Sequence, residues 1–125
     1  MKSKEEIINE LPYFNGSSDF YIHNCLGNKF ILTEGCVYIR ENAGAYWLFD
    51  AIISYQPYKD VKAMEFQVWT LKRQGLADKS DKFILTLSDG NGNTIRTQKI
   101  PFSDFPLDEI NFWLENNVIM LPTER

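Results

Sequence analysis

The residues from Ala45 to Tyr55 constrain this chain more than any other segment. Tyr46, Trp47, Leu48, Phe49, Ala51, Ile52 and Ile53 leave only Asp50 and Ser54 polar, and those two lie four residues apart, on one side of a helix. Gly44 precedes the run and Pro57 follows it, so it has a start and a stop. The run is about half of the roughly 20 residues that would cross a bilayer, so it is a water-covered domain's own central helix. Such a helix shows water one narrow stripe, and the rest of the chain has to supply the layers that cover it.

Period-two patterns supply one layer. Met64 to Lys72 alternates Met64, Phe66 and Val68 with Glu65 and Gln67 before Trp69 and Leu71 take the other face, which predicts a strand. Phe83, Leu85 and Leu87 alternate in the same way, and Ser88-Asp89-Gly90-Asn91-Gly92-Asn93 is rich in residues that tolerate positive φ. With Thr94 to Ile100 extended again, Phe83 to Ile100 reads as a hairpin. Phe20 to Ile22 and Phe30 to Leu32 are short strand candidates, separated from the N-terminus by loop chemistry over Asn15 to Asp19.

Helices fill the remainder. Ser3 with Glu6 three residues on forms a capping box, which predicts a helix from Lys4 to Leu11 with Ile7, Ile8 and Leu11 inward and Pro12 as its stop. Thr33 caps a helix from Glu34 to about Asn42, with Cys36, Ile39 and Ala43 on one face. Pro106, followed by Asp108 and Glu109, reads as the start of a helix with Leu107, Ile110 and Leu114 inward, ahead of a strand from Val118 to Leu121. Ile110, Phe112 and Leu114 also fit period two, and a turn at Asn116-Asn117 would make the same stretch a second hairpin; the helix is the preferred reading. The expected fold is α+β: one domain over residues 1–125, with a small antiparallel sheet on Met64 to Lys72, Phe83 to Ser88 and Thr94 to Pro101, packed against two or three helices. Trp47 is expected at the centre of the core.

Charge narrows the function. The net charge of -4 has the wrong sign for neutralising a phosphate backbone, which argues against direct nucleic-acid binding. The N-terminal Met1-Lys2-Ser3-Lys4-Glu5-Glu6 lacks the apolar run of an export signal, so a cytoplasmic protein with free thiols is expected, with no membrane partner.

The residues able to do chemistry are few. His23, Cys25 and Cys36 are the only imidazole and thiol groups, one short of a structural zinc set and wrongly spaced for one, so neither metal nor cofactor is expected. His23 and Cys25 would share a strand face as base and nucleophile, yet no Gly-rich turn or helix start beside them offers an oxyanion hole, and packing is the better account of both. Asp89, Asn91 and Asn93 are spaced like the first ligands of a calcium loop, but Thr94 stands where the loop needs Gly and Ile100 where it needs Glu. A hairpin turn accounts for all of them. Asp50 is the carboxylate set among the most apolar neighbours, and either a buried partner or an edge position facing water would explain it.

The segments Asn42-Ala43-Gly44-Ala45-Tyr46-Trp47-Leu48, Asp89-Gly90-Asn91-Gly92-Asn93 and Asp104-Phe105-Pro106-Leu107-Asp108-Glu109-Ile110 together resemble a family of small bacterial, phage and plasmid proteins described only as a domain of unknown function. Asn117 stands where that family commonly has Gly, and Cys36 where it has an aliphatic residue. The resemblance implies a setting in mobile elements and accessory genomes, with no catalytic or binding residues to carry over.

The function expected from setting and charge is a non-enzymatic binding protein of a mobile element, an inhibitor or adaptor acting on a host or defence protein. Its partner would be a basic, nucleic-acid-handling protein met by Asp89, Asn91, Asp104, Asp108, Glu109 and Trp113. The alternative is a small-molecule-binding domain or enzyme using His23, Asp50 and nearby tyrosines. A deep pocket lined by those groups would favour the second, and an exposed patch the first.

Overall fold

The computed structural model describes residues 1–16, 19–75 and 81–125. Ser17 and Ser18, part of the loop read between Asn15 and Asp19, lie outside the described residues. In chain order the elements are α1 (Lys4–Glu10), β1 (Phe20–Cys25), β2 (Asn28–Thr33), α2 (Glu34–Asn42), α3 (Tyr46–Ser54), α4 (Lys59–Lys62), β3 (Phe66–Arg73), β4 (Phe83–Ser88), β5 (Thr94–Ile100), β6 (Glu109–Glu115) and β7 (Val118–Met120). Among the described residues seven strands form one sheet, in the order β1-β2-β7-β6-β3-β4-β5.

This corrects the expectation of a small antiparallel sheet. The sheet is larger, and it is mixed, because β2 and β7 run parallel while β1–β2, β3–β4, β3–β6, β4–β5 and β6–β7 are antiparallel. The antiparallel neighbours β1–β2, β3–β4, β4–β5 and β6–β7 are consecutive in the chain. The parallel pair brings Ile31 beside Val118 across most of the sequence, so no local pattern announces it.

The second correction concerns residues 106–121. The preferred helix is absent: Glu109–Glu115 is a strand with Ile110, Phe112 and Leu114 buried on one face. Asn116 and Asn117 stand at φ 54° and 63°, the left-handed pair that a two-residue hairpin turn requires, and β7 returns antiparallel. Ile110 and Leu114 satisfy both periods, so these apolar positions alone did not discriminate. The Asn-Asn turn did.

Among the described residues the four α-helices are short, and α3 lies over one face of the sheet. Phe49 packs edge-on against Phe112 of β6 at 5.1 Å between ring centroids, and Tyr55 just beyond the helix sits 5.6 Å from Trp69 of β3. The Tyr55 hydroxyl donates to Gln98 Oε1 of β5 at 2.8 Å. The capping box at Ser3 forms as expected, but Ile7 alone of its pair is buried; Ile8 is exposed. Trp47 is a further correction, being only partly buried at the edge of the core, whereas Trp69 keeps 1% of its surface in water. Buried Gln67 supports Trp69 from the same strand, accepting its indole N–H at 2.9 Å and pairing amide to amide with Gln56.

One carboxylate joins the two ends of the parallel pair. Glu124, itself buried, accepts the Thr33 hydroxyl at 2.6 Å, the Leu121 N–H at 3.0 Å and the Gly35 N–H at 2.9 Å. Thr33 therefore occupies the N-cap of α2 without capping it through its side chain, and a glutamate from the far end of the chain takes that role. Gly35 makes the approach possible: a Cβ there would stand 2.5 Å from Leu121 Cδ1 and 2.6 Å from Glu124 Oε1.

Two stability measurements check this packing. Trp69→Ala is expected to cost about 3–5 kcal/mol in urea unfolding and Trp47→Ala clearly less, since a half-buried ring leaves a smaller cavity. Gly35→Ala, in spite of being a favourable change for a helix, is expected to cost about 2–4 kcal/mol, because the new methyl displaces a buried carboxylate from its donors.

Candidate functional site

His23 lies on the helix-covered face of β1, almost fully buried. Its Nδ1 faces Arg40 Nη1 of α2 at 2.9 Å, and a guanidinium can only donate, so Nδ1 accepts. The ring proton is therefore on Nε2, which donates to Asp50 Oδ1 of α3 at 2.7 Å. Arg40 also pairs with Glu41 at 3.2 Å and stacks over the Tyr46 ring at 4.8 Å, and the Tyr46 hydroxyl donates to Glu41. That phenol, with Arg40 behind it, holds the Glu41 carboxyl below the usual range.

The arrangement thus brings together His23, Asp50 and one tyrosine, Tyr46, as the ligand-binding alternative requires. Yet it uses them up. Both ring nitrogens of His23 are occupied, and the Cys25 thiol, 3.8 Å from the Asp50 carbonyl oxygen, is pushed up by burial and by the Asp50 charge. Burial pushes the Cys36 thiol up further still. The imidazole is a latch fastening an edge strand to two helices. Asp50 combines the two accounts its sequence allowed, with half its side chain in water and one oxygen held by a buried partner. Arg40 was not singled out in the sequence, where it is one basic residue in the last turn of a helix.

A cleft of about 810 Å³ opens at one end of the sheet, where Lys29, Lys62, Gln56, Glu115, Asn116 and Asn117 contribute to its walls. Its lining includes none of His23, Asp50 or a tyrosine.

The acidic candidates fall at opposite ends of the sheet. Asp89 at the β4–β5 turn accepts from the backbone N–H groups of Asn91 and Asn93 and from the Asn93 side chain, contacts that hold its carboxyl low, the Asn93 side chain contributing most. Asp104, Asp108 and Glu109 are exposed at the other end, about 20 Å away along β6. Asp108 is a clamp, accepting from Lys4 of α1 at 2.7 Å and from Arg73 of β3 at 3.1 Å; these two cations, Lys4 foremost, hold its carboxyl low.

Trp113 belongs with the Asp89 turn. It faces away from α3 and meets Phe66 edge-on at 5.4 Å, while Gly90 of the turn lies against the same Phe66 ring. The Arg125 guanidinium lies over both rings, 5.2 Å from Phe66 and 5.5 Å from Trp113, and pairs with Glu115. On this face the strand registers align two rows across the sheet. Ile22, Ile31, Val118, Glu115 and Phe66 make one, and beside it run Phe20 with Thr33, then Met120, Trp113 and Val68. The result is a band about 20 Å long, apolar except for Thr33 and for Glu115, which Arg125 pairs. Arg125 covers its β6–β3 end, while Phe20, Ile22 and Ile31 keep 58%, 65% and 37% of their surface in water. Apolar alternation on the outward positions of β1 was the available signal in the sequence, and it was hidden because β1 is apolar on both faces.

His23→Ala tests the latch. It leaves the buried side of Arg40 without its acceptor and frees β1 from α3, so unfolding in urea is expected at a stability lower by about 2 kcal/mol.

No curated protein and no solved structure matches the chain. A model of a family of unknown function, DUF6876, matches residues 5–125, which include β1, the latch, the cleft and the apolar band. The chain belongs to that family.

Proposed function

We propose that the protein is a non-enzymatic protein-binding module whose partner docks on the uncovered face of the sheet, over the apolar band at Phe20, Ile22 and Ile31. The observation that carries this reading is the band itself: aligned apolar side chains left in water on one face, beside a histidine site with no free base and no activated nucleophile. The setting implied by the family resemblance makes it an inhibitor or adaptor of a mobile element, working in the cytoplasm on a host or defence protein. Asp89, beside the Phe66 end of the band, and Asp104 and Glu109, about 20 Å away at the far end of β6, suit a basic partner that itself handles nucleic acid, and they steer association rather than hold it.

The test is affinity capture from host lysate with wild-type protein and with Ile31→Lys, a substitution in a half-exposed position that changes stability little. A protein retained in stoichiometric amount by the wild type, lost with Ile31→Lys and eluted more readily at high salt is the expected result. Retention that ignores Ile31→Lys rejects the band as the docking surface.

The cleft favours a second reading, a small polar ligand bound between the carboxamides of Asn116 and Asn117. It is secondary because Gln56 and the buried Gln67, the other carboxamides in its lining apart from Asn28, already spend hydrogen bonds on each other and on Ile52, Trp69 and Val61.

A further inference from the structure

The two edges of the sheet are built differently. β5 carries Arg96 and Lys99, and its pairing with β4 slips at Leu87/Ser88; charge and a bulge both discourage another strand from adding there. β1, at the opposite edge, has no Lys, Arg, Asp, Glu or Pro, and it pairs with β2 in unbroken register over all its residues. Leu26 at the tip of this hairpin stands at φ 50° with 88% of its surface in water, a position that favours Asn or Gly on both counts.

The turn also dictates which backbone groups face outward. Cys25 and Asn28 close a two-residue loop, so they exchange hydrogen bonds, as do every second pair after them. Tyr21, His23 and Cys25 therefore spend their N–H and C=O groups on β2. Phe20, Ile22 and Asn24 direct theirs to the open edge. The His23 latch to Asp50 and Arg40 holds that edge rigid, so little order is lost when it pairs.

We infer that the β1 edge is a self-association surface: a second copy of this chain adds its own β1 antiparallel across a two-fold axis, with Ile22 opposite Ile22 of the second copy. Only this centre pairs all the outward groups at once, since it sets Phe20 against Asn24 and Asn24 against Phe20. An uncharged strand meets itself without like-charge repulsion, and among the described residues the sheet has no second edge of that kind to offer a head-to-tail chain, so association closes at two. Phe20, Tyr21, Ile22 and Leu26, together with the paired backbone, would remove on the order of 500 Å² per protomer from water. The total of about 1,000 Å² is the lower limit of a specific interface, and it fits a dimer that dissociates in the micromolar range. The axis stands perpendicular to the sheet, so the uncovered faces lie on one side and the two apolar bands join. The inference thus extends the proposed docking face without depending on it.

Sedimentation velocity on the full chain from about 1 µM to about 1 mM tests it. The wild type is expected to pass from monomer to dimer over this range. Ile22→Pro removes an N–H that β2 does not use, and Ile22→Lys adds a charge to the edge; each is expected to weaken the dimer by about tenfold or more. Should Ile22→Pro fail to fold, Ile22→Lys decides. A wild type that stays monomeric to about 1 mM overturns the inference, as does dimerisation of folded Ile22→Lys at wild-type strength. A monomer that still captures its partner through Ile31 removes the dimer and keeps the binding function; a dimer that captures nothing does the reverse.

Discussion

The sheet is one object only because β2 runs beside β7, and that contact is short. Two residue pairs align there, helped by the Ile31 N–H donating to the Asn117 carbonyl at 2.9 Å. On one side lies the β1–β2 hairpin, on the other the five strands from β7 to β5. Glu124 closes the joint by gathering donors from the end of β2, the start of α2 and the end of β7. A carboxylate in such a place is costly unless every lone pair is used, and here a backbone N–H at a helix start, a second N–H and a hydroxyl meet it. Gly35 is the steric condition for that meeting, and so a residue with no side chain decides whether the two halves join.

The rest of the architecture follows from covering one face only. α3 is apolar on nearly all sides, and it is satisfied by lying across the sheet, from His23 on one edge strand to Gln98, reached through Tyr55, on the other. Few residues remain for the opposite face. Towards Lys72, Thr70, Asn111 and Glu109 that face is polar and needs no cover, whereas towards Phe66, Trp113, Ile31 and Ile22 it is apolar and only partly strapped by Arg125. An uneven face of this kind gives a small acidic protein a surface with a direction and an edge that could be extended.

The chemistry-bearing residues show why a constellation is a weaker guide than its geometry. His23 and Asp50 do meet, and Cys25 is beside them. What decides their role is Arg40, which occupies Nδ1 and forces the tautomer that donates to Asp50. An imidazole with both nitrogens engaged fastens elements together. Spacing along the chain placed His23 and Cys25 on one strand face but carried no information about a guanidinium arriving from α2. The acidic residues make the same point from the other direction: Asp104, Asp108 and Glu109 are close in sequence to the hairpin bearing Asp89, yet β5 runs from that turn to the opposite end of the sheet and leaves them there.

Local order was legible in the residues themselves wherever one period or one turn type stood unopposed. The capping box at Ser3, the helix over Glu34–Asn42, the helix over Tyr46–Ser54 and the β4–β5 turn around Asp89–Asn93 rest on contacts within a few positions, strand β3 shows in its alternation, and each is present. Where two periods fitted the same side chains, as at Ile110 and Leu114, pattern could not choose, and the sheet chose by offering β3 an antiparallel neighbour. Tertiary structure alone decided the parallel β2–β7 joint, the cap on α2 supplied by Glu124, the burial of Trp69 in preference to Trp47, and the apolar band that no single strand contains. Each of these joins residues far apart in the chain, where the energy comes from packing and desolvation that exist only once both partners are in place.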